Sequence, residues 1–192
     1  KLRMNGRAKA ILYFWFKQSS HEEKFDQNAS FDQKIRDKFF NDYQKAVENK
    51  YDSWQDNLNE CLALIILLDQ FSRNLFRNSK KAFAMDNKAR IIAAKAINKG
   101  YHKQLKQDQI LFLFLPFMHS EELYDQIYCG NLINTYFKNH PSYEEAKKFA
   151  ILHENIIRRF KRFPYRNKVL GRKSTKEEEE YLNLTHHNFF NI

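Results

Sequence analysis

The 192-residue chain is long enough to bury a sizeable core without metals or disulfides, and its 43% hydrophobic and 16% aromatic residues exclude a disordered chain. Only four glycines and three prolines are present, too few for the many turns of an all-β protein, so long helices with few sharp connections are expected. The net charge of +10 points to anionic partners, whether phosphate, carboxylate or nucleic acid.

A basic stretch from Lys1 to Lys9 precedes the apolar run Ala10 to Phe16. That run is too short and too aromatic for a secretory signal and lacks a small-residue cleavage site, so a helix over 6–17 is expected instead. The capping-box pattern Ser30 with Gln33 opens a helix over 31–50, and Asn57 with Glu60 opens one over 58–77. The latter is apolar nearly all round from Cys61 to Leu68 and should be central. A helix over 84–99 ends at Gly100, a left-handed cap, and another spans 105–117. Ser120, with Glu121 and Glu122 placed for the helix dipole, opens a helix over 121–138. Ser142 with Glu145 opens 143–161, and Thr175 with Glu178 opens 176–184.

Periodicity supports these assignments: Ile35, Phe39, Tyr43 and Ala46 mark one face, and Ala89, Ile92, Ala93, Ala96 and Ile97 another. The expected fold is all-α, about eight helices whose short connections make antiparallel hairpins, in one domain over 1–192. The longest apolar run, Ile110 to Met118, falls well short of the roughly 20 residues that span a bilayer. No membrane association is expected. Cys61 and Cys129 read as reduced core thiols, which suits a cytoplasmic protein. The sequence has no C-x-x-C pair or His/Cys cluster, so neither a metal nor a cofactor is expected.

Four constellations carry possible chemistry. In the first, an apolar helix turns polar at Asp69-Gln70, followed by Arg73-Asn74 and Arg77. Asp69, Arg73 and Arg77 are spaced i, i+4, i+8 and so share one face. An i,i+4 ion pair at a helix end accounts for part of this. Polar groups continuing a buried helix also need partners, which a ligand cavity would supply. The second is His119, in the turn after Pro116 ends or kinks a helix, beside a free helix N-terminus and Glu121. The third is His153, on the apolar face of its helix. Either histidine is equally readable as structural. The fourth is the segment 158–173, with Arg158, Arg159, Lys161, Arg162, Arg166, Lys168, Arg172 and Lys173, no acid among them, and Asn167 beside Arg166. Pro164 and Gly171 give it the look of an ordered loop presenting arginine forks.

Taken in order, Phe14-Trp15-Phe16, Phe31-Asp32, Ile35-Arg36, Leu68-Asp69-Gln70-Phe71, Arg73 to Arg77, Ala84 to Arg90, Leu115 to Glu121, His153, Arg162-Phe163-Pro164, Arg166-Asn167 and Gly171-Arg172 resemble a bacterial family of unknown function, numbered 924 among such families. The resemblance covers nearly the whole chain. It implies a helical-repeat fold similar to tetratricopeptide-repeat proteins, a right-handed array, and no transferable activity. The chain departs from the family pattern at Ser72 (proline there), Lys161 (glycine) and Tyr165 (histidine).

The favoured functional reading is a concave face that binds an anionic small molecule or a peptide carboxylate. Its ligand-binding candidates are Asp69, Gln70, Arg73, Asn74, Arg77, His119, Glu121, His153, Arg162, Arg166, Asn167 and Arg172. A hydrolase-like enzyme with His119 or His153 as general base and Asp69 as orienting partner is the alternative, together with a protein adaptor and, more weakly, nucleic-acid binding through 158–173.

Overall fold

The structure, a computed structural model, describes residues 4–184. Lys1 and Arg3 of the N-terminal basic stretch lie outside the described residues. Those residues form ten helices and no strand: α1 (Gly6–Tyr13), α2 (His21–Phe25), α3 (Ala29–Val47), α4 (Leu58–Ile65), α5 (Asp86–Asn98), α6 (Gln107–Met118), α7 (Leu123–Leu132), α8 (Tyr143–Phe160), α9 (Asn167–Leu170) and α10 (Lys176–Leu184). The short α2 and α9 add to the eight expected. None of the helices is long and apolar enough to cross a membrane.

Three helices continue into wider π-helical turns: α1 through Phe14–Gln18, α4 through Ile66–Phe71, and α7 through Ile133–Phe137. After its π turn, α4 regains α geometry over Ser72–Leu75. From α3 to α8 consecutive helices pack against one another, and α4 with its continuation touches α1, α3, α5 and α6, approximately the stacked hairpins expected. The central position of α4 follows from its composition: every side chain from Cys61 to Leu75 is buried.

Packing around α4 is aromatic. Phe14, Trp15, Phe31, Phe39, Phe71 and Phe112 meet ring to ring at centroid distances of 5.1 to 6.2 Å, and such contacts add to the area they bury. A second, smaller cluster of Ile156, Ile157 and Phe163, flanked by Leu123, Tyr165 and Tyr181, holds the segment after α8 against the body.

The expected caps hold in part. Thr175 and Glu178 form the reciprocal pair, each bonding the other's backbone N–H, and Gly100 is left-handed at φ 76°. The helix expected at 31 starts earlier: the Asn28 side chain, not Ser30, accepts from Phe31 N. Asn57 caps α4, but Glu60 accepts from Asn5 N rather than reaching back. Ser142 makes no side-chain cap; its N–H donates to His140 Nδ1 instead. Ser120 accepts from Glu122 N and donates to Asp125. Pro116 does not end its helix, which runs on to Met118.

Candidate functional site

A cavity of about 620 Å³ opens between the start of α5, the α6–α7 turn and the loop after α8. Its wall includes Phe83, Asp86, Pro116, His119, Glu121 and Arg166, with Lys80, Lys81 and Arg90 toward its rim. The volume is that of a small-molecule site.

The polar end of α4 supplies the support. The π turn Ile66–Phe71 carries Asp69 and Gln70 into the interior, where Asp69 is fully buried. Such turns recur at functional positions. Gln70 Nε2 donates to Asp69 Oδ2 at 2.6 Å, and His119 Nδ1 stands 2.7 Å from Asp69 Oδ1. Burial alone would raise the Asp69 carboxyl. Its pairing with His119 and Arg73 and the bond from Gln70 reverse that and hold it below the ordinary carboxylate value. Burial, reinforced by the Arg73 charge, lowers His119 against the opposing pull of Asp69. The imidazole is therefore neutral near pH 7 and donates its Nδ1–H to an ionised Asp69. The nitrogen that Asp69 leaves unengaged is Nε2.

Arg73 lies behind the wall. Its Nη1 donates to the Asp69 carbonyl oxygen at 2.8 Å, and Nη1 and Nη2 grip Asp86 at 2.8 and 3.0 Å. Asp86, the first residue of α5, also faces Arg166 Nη1 at 3.5 Å. One carboxylate thus orients two guanidinium groups. Arg166 is 4% exposed, and its Cζ lies over the rings of Phe83 and Phe163, 4.5 and 4.6 Å from their centroids. Its Nε and Nη2, which form one edge of the guanidinium, are buried with no hydrogen-bond partner among the described residues. The Tyr165 hydroxyl, pushed up by burial, interacts with the same guanidinium.

The remaining sequence candidates divide by position. His153 is fully buried and bonds Phe149 O through Nδ1 at 2.7 Å. It packs edge-on against Phe163 at 5.4 Å and does not line the cavity. Burial pushes it down to about 3, so it stays neutral across ordinary pH. Arg77 does not share the Asp69 face, because the helix ends at Leu75 and Phe76 turns out of helical geometry. Arg77 and Asn74 instead bind Asp32 of α3, at 2.7 and 2.8 Å. Gln70 supports Asp69 and is not a lining residue.

The basic segment is largely neutralised. Glu121 takes Phe163 N and both terminal nitrogens of Arg172 at 2.7 to 2.9 Å. Glu178 takes Arg162 at 2.7 and 2.8 Å and Asn167 at 3.1 Å, and these bonds hold its carboxyl down at about 2. Arg158 pairs with Glu154 and Arg159 with Glu177. Of the eight cations in 158–173, Arg158, Arg159, Arg162, Arg166 and Arg172 therefore face carboxylates, so the block that looked acid-free in sequence is paired in space. Arg162, Asn167 and Arg172 hold the loop that presents Arg166 and stand away from the cavity wall.

Sequence reasoning missed Phe83, Asp86 and the rim lysines. An acid at a helix start, as Asp86 is, reads as dipole compensation, and nothing in the local pattern marks it as the partner of two arginines. Among the described residues, no group of three or more His, Cys, Asp or Glu is arranged to hold a metal ion.

Residues 11–185 match the family described as "Bacterial protein of unknown function (DUF924)". The chain is also similar to the solved structure of a protein of unknown function from Agrobacterium tumefaciens. The two share 35% identity and a TM-score of 0.85, over 93% of this chain and 97% of that one. None of the curated proteins matches the chain. A family match over almost the whole length, joined to a neighbour of the same architecture at this identity, places the relationship beyond fold alone: the chain belongs to the DUF924 family.

Proposed function

We propose that this protein binds a small molecule bearing a carboxylate in the cavity walled by His119 and Arg166. The observation that carries this reading is the Arg166 edge: Nε and Nη2 have no hydrogen-bond partner among the described residues, while Nη1 faces Asp86 and the ion lies over the rings of Phe83 and Phe163. A buried guanidinium with two unused parallel donors is costly alone and suited to a planar two-oxygen acceptor. His119 Nε2 adds a polar contact on the same wall. Lys80 and Lys81 favour approach of an anion, against Glu122, while the other charges of the wall are paired: Arg90 with Asp125, Glu121 with Arg172 and Asp86 with Arg73 and Arg166.

Calorimetric titration with acetate, succinate and benzoate tests the reading. At least one should bind the wild-type protein, and Arg166→Ala should abolish that binding while the protein stays folded by circular dichroism. Equal affinity in both proteins would remove Arg166, and with it the site.

A further inference from the structure

We infer that the same cavity hydrolyses small carboxylic esters, with His119 as general base toward water, Asp69 as its positioning residue and Arg166 facing the developing oxyanion. The inference rests on the carboxylate-binding reading and names what the site does with its ligand.

A site built only to hold a carboxylate has no use for a second buried carboxylate beneath it. Yet Asp69 is fully buried directly behind His119, 2.7 Å from Nδ1. That contact fixes one tautomer and ring orientation and leaves Nε2 as the proton-accepting nitrogen of a residue in the cavity wall. Asp69 is itself held by Gln70 and by Arg73, so the dyad is braced from α4 before any ligand arrives. A braced imidazole that is neutral near pH 7 meets the requirement for a general base.

The rest of the wall decides the nucleophile. Ser120, the one hydroxyl residue among the described residues that line the cavity, donates its proton to Asp125 at 2.6 Å. Both cysteines are buried elsewhere, with their thiols pushed up by burial. Water is then the attacking group. His119 Nε2 takes a proton from it as its oxygen bonds to the ester carbonyl carbon. The carbonyl pair moves onto oxygen, and that oxyanion meets the donors of Arg166. On collapse the carbon–oxygen bond to the alcohol breaks, and the departing alkoxide recovers the proton from His119. The products are the alcohol and a carboxylic acid, which ionises and releases its proton to solvent. The acid product is the ligand class proposed above: the tetrahedral intermediate and the carboxylate both place two oxygens on one carbon before the same guanidinium edge.

The test uses the full chain and p-nitrophenyl acetate, with p-nitrophenyl butyrate as a larger acyl group. Wild-type protein should release nitrophenolate with saturation. The rate should fall on the acid side through a single ionisation below the ordinary histidine value. His119→Gln keeps a donor for Asp69 and removes the base, so it should fold and lose about 100-fold or more in kcat. Asp69→Asn should lower kcat with little change in KM and move the acid limb to lower pH, a shift that a purely structural role would not produce. Should His119→Gln prove unfolded, the Asp69→Asn pH profile carries the decision alone. Carboxylate binding with equal nitrophenolate release by wild type and His119→Gln would overturn the hydrolase and leave the binding site standing. Loss of both binding and turnover in the wild type would overturn both.

Discussion

Asp69 and His119 stand 50 residues apart in the chain and 2.7 Å apart in the fold, both out of contact with bulk water. A buried carboxylate with an imidazole, a guanidinium and an amide around it is a committed arrangement. Removing the charge leaves Arg73 with Asp86 alone and His119 without an acceptor. Asp69→Ala should therefore destabilise the fold by about 3–5 kcal/mol, the range for breaking a buried charged network. Urea unfolding at pH 7 checks this through the midpoint. A loss below about 1 kcal/mol would mean that water replaces the carboxylate readily and that the dyad is not tightly held.

Arg73 and Arg166 share Asp86 but should respond differently to substitution. Arg73 grips Asp86 with two nitrogens and contributes no wall to the cavity, whereas Arg166 lines it. Arg73→Ala is expected to lower stability strongly, since it removes a buried cation from between the carboxylates of Asp69 and Asp86, and to weaken carboxylate binding only through displacement of Asp86. Arg166→Ala should remove binding at a smaller cost in stability, because two of its nitrogens have no bond to lose. Paired melting curves and titrations separate the two. The reverse pattern would move the ligand from Arg166 to Arg73.

The helices were legible in the sequence because their signals are local. The apolar run from Cys61 to Leu68, the face Ala89 to Ile97 and the stop at Gly100 all act within a few turns. The site was legible only as a set of residue types. His119, Asp69 and Arg166 could be named, but their grouping depends on contacts across 50 residues and on the π turn at Ile66–Phe71, which no spacing rule reveals. The i, i+8 relation of Asp69 to Arg77 failed for a related reason: the helix stops at Leu75, two residues before Arg77. The basic block was misleading because charge was read along the chain, whereas Glu121 and Glu178 reach its arginines from 51 and 16 residues away.

Lys161 closes α8 in the left-handed region, at φ 60° and ψ 7°, and the family pattern has glycine there. A residue with a Cβ pays about 1–2 kcal/mol for that conformation. Glycine recovers it, less roughly 0.5–1 kcal/mol of extra chain entropy lost on folding. Lys161→Gly should thus stabilise the protein by about 0.5–1 kcal/mol and raise Tm by about 2 °C. The side chain is exposed, so carboxylate binding should not change. A lowered Tm would show that the lysine makes a contact worth more than the strain it carries.

His153 makes stability depend on pH. It is fully buried, its Nε2 has no partner among the described residues, and burial holds it neutral down to about pH 3. The unfolded chain takes up a proton near 6.5. Between those values the unfolded state binds more protons, so stability is complete above about pH 6.5 and drains away as pH falls toward 3. The full window is worth roughly 4–5 kcal/mol. His119, also lowered, acts in the same direction. His153→Leu fits a similar volume and removes both the titration and the unpartnered nitrogen. Acid-unfolding curves should place its midpoint at lower pH than wild type, with little difference between the two proteins at pH 8. An unchanged midpoint would mean that proton uptake elsewhere, the Asp69–His119 pair first, drives acid unfolding.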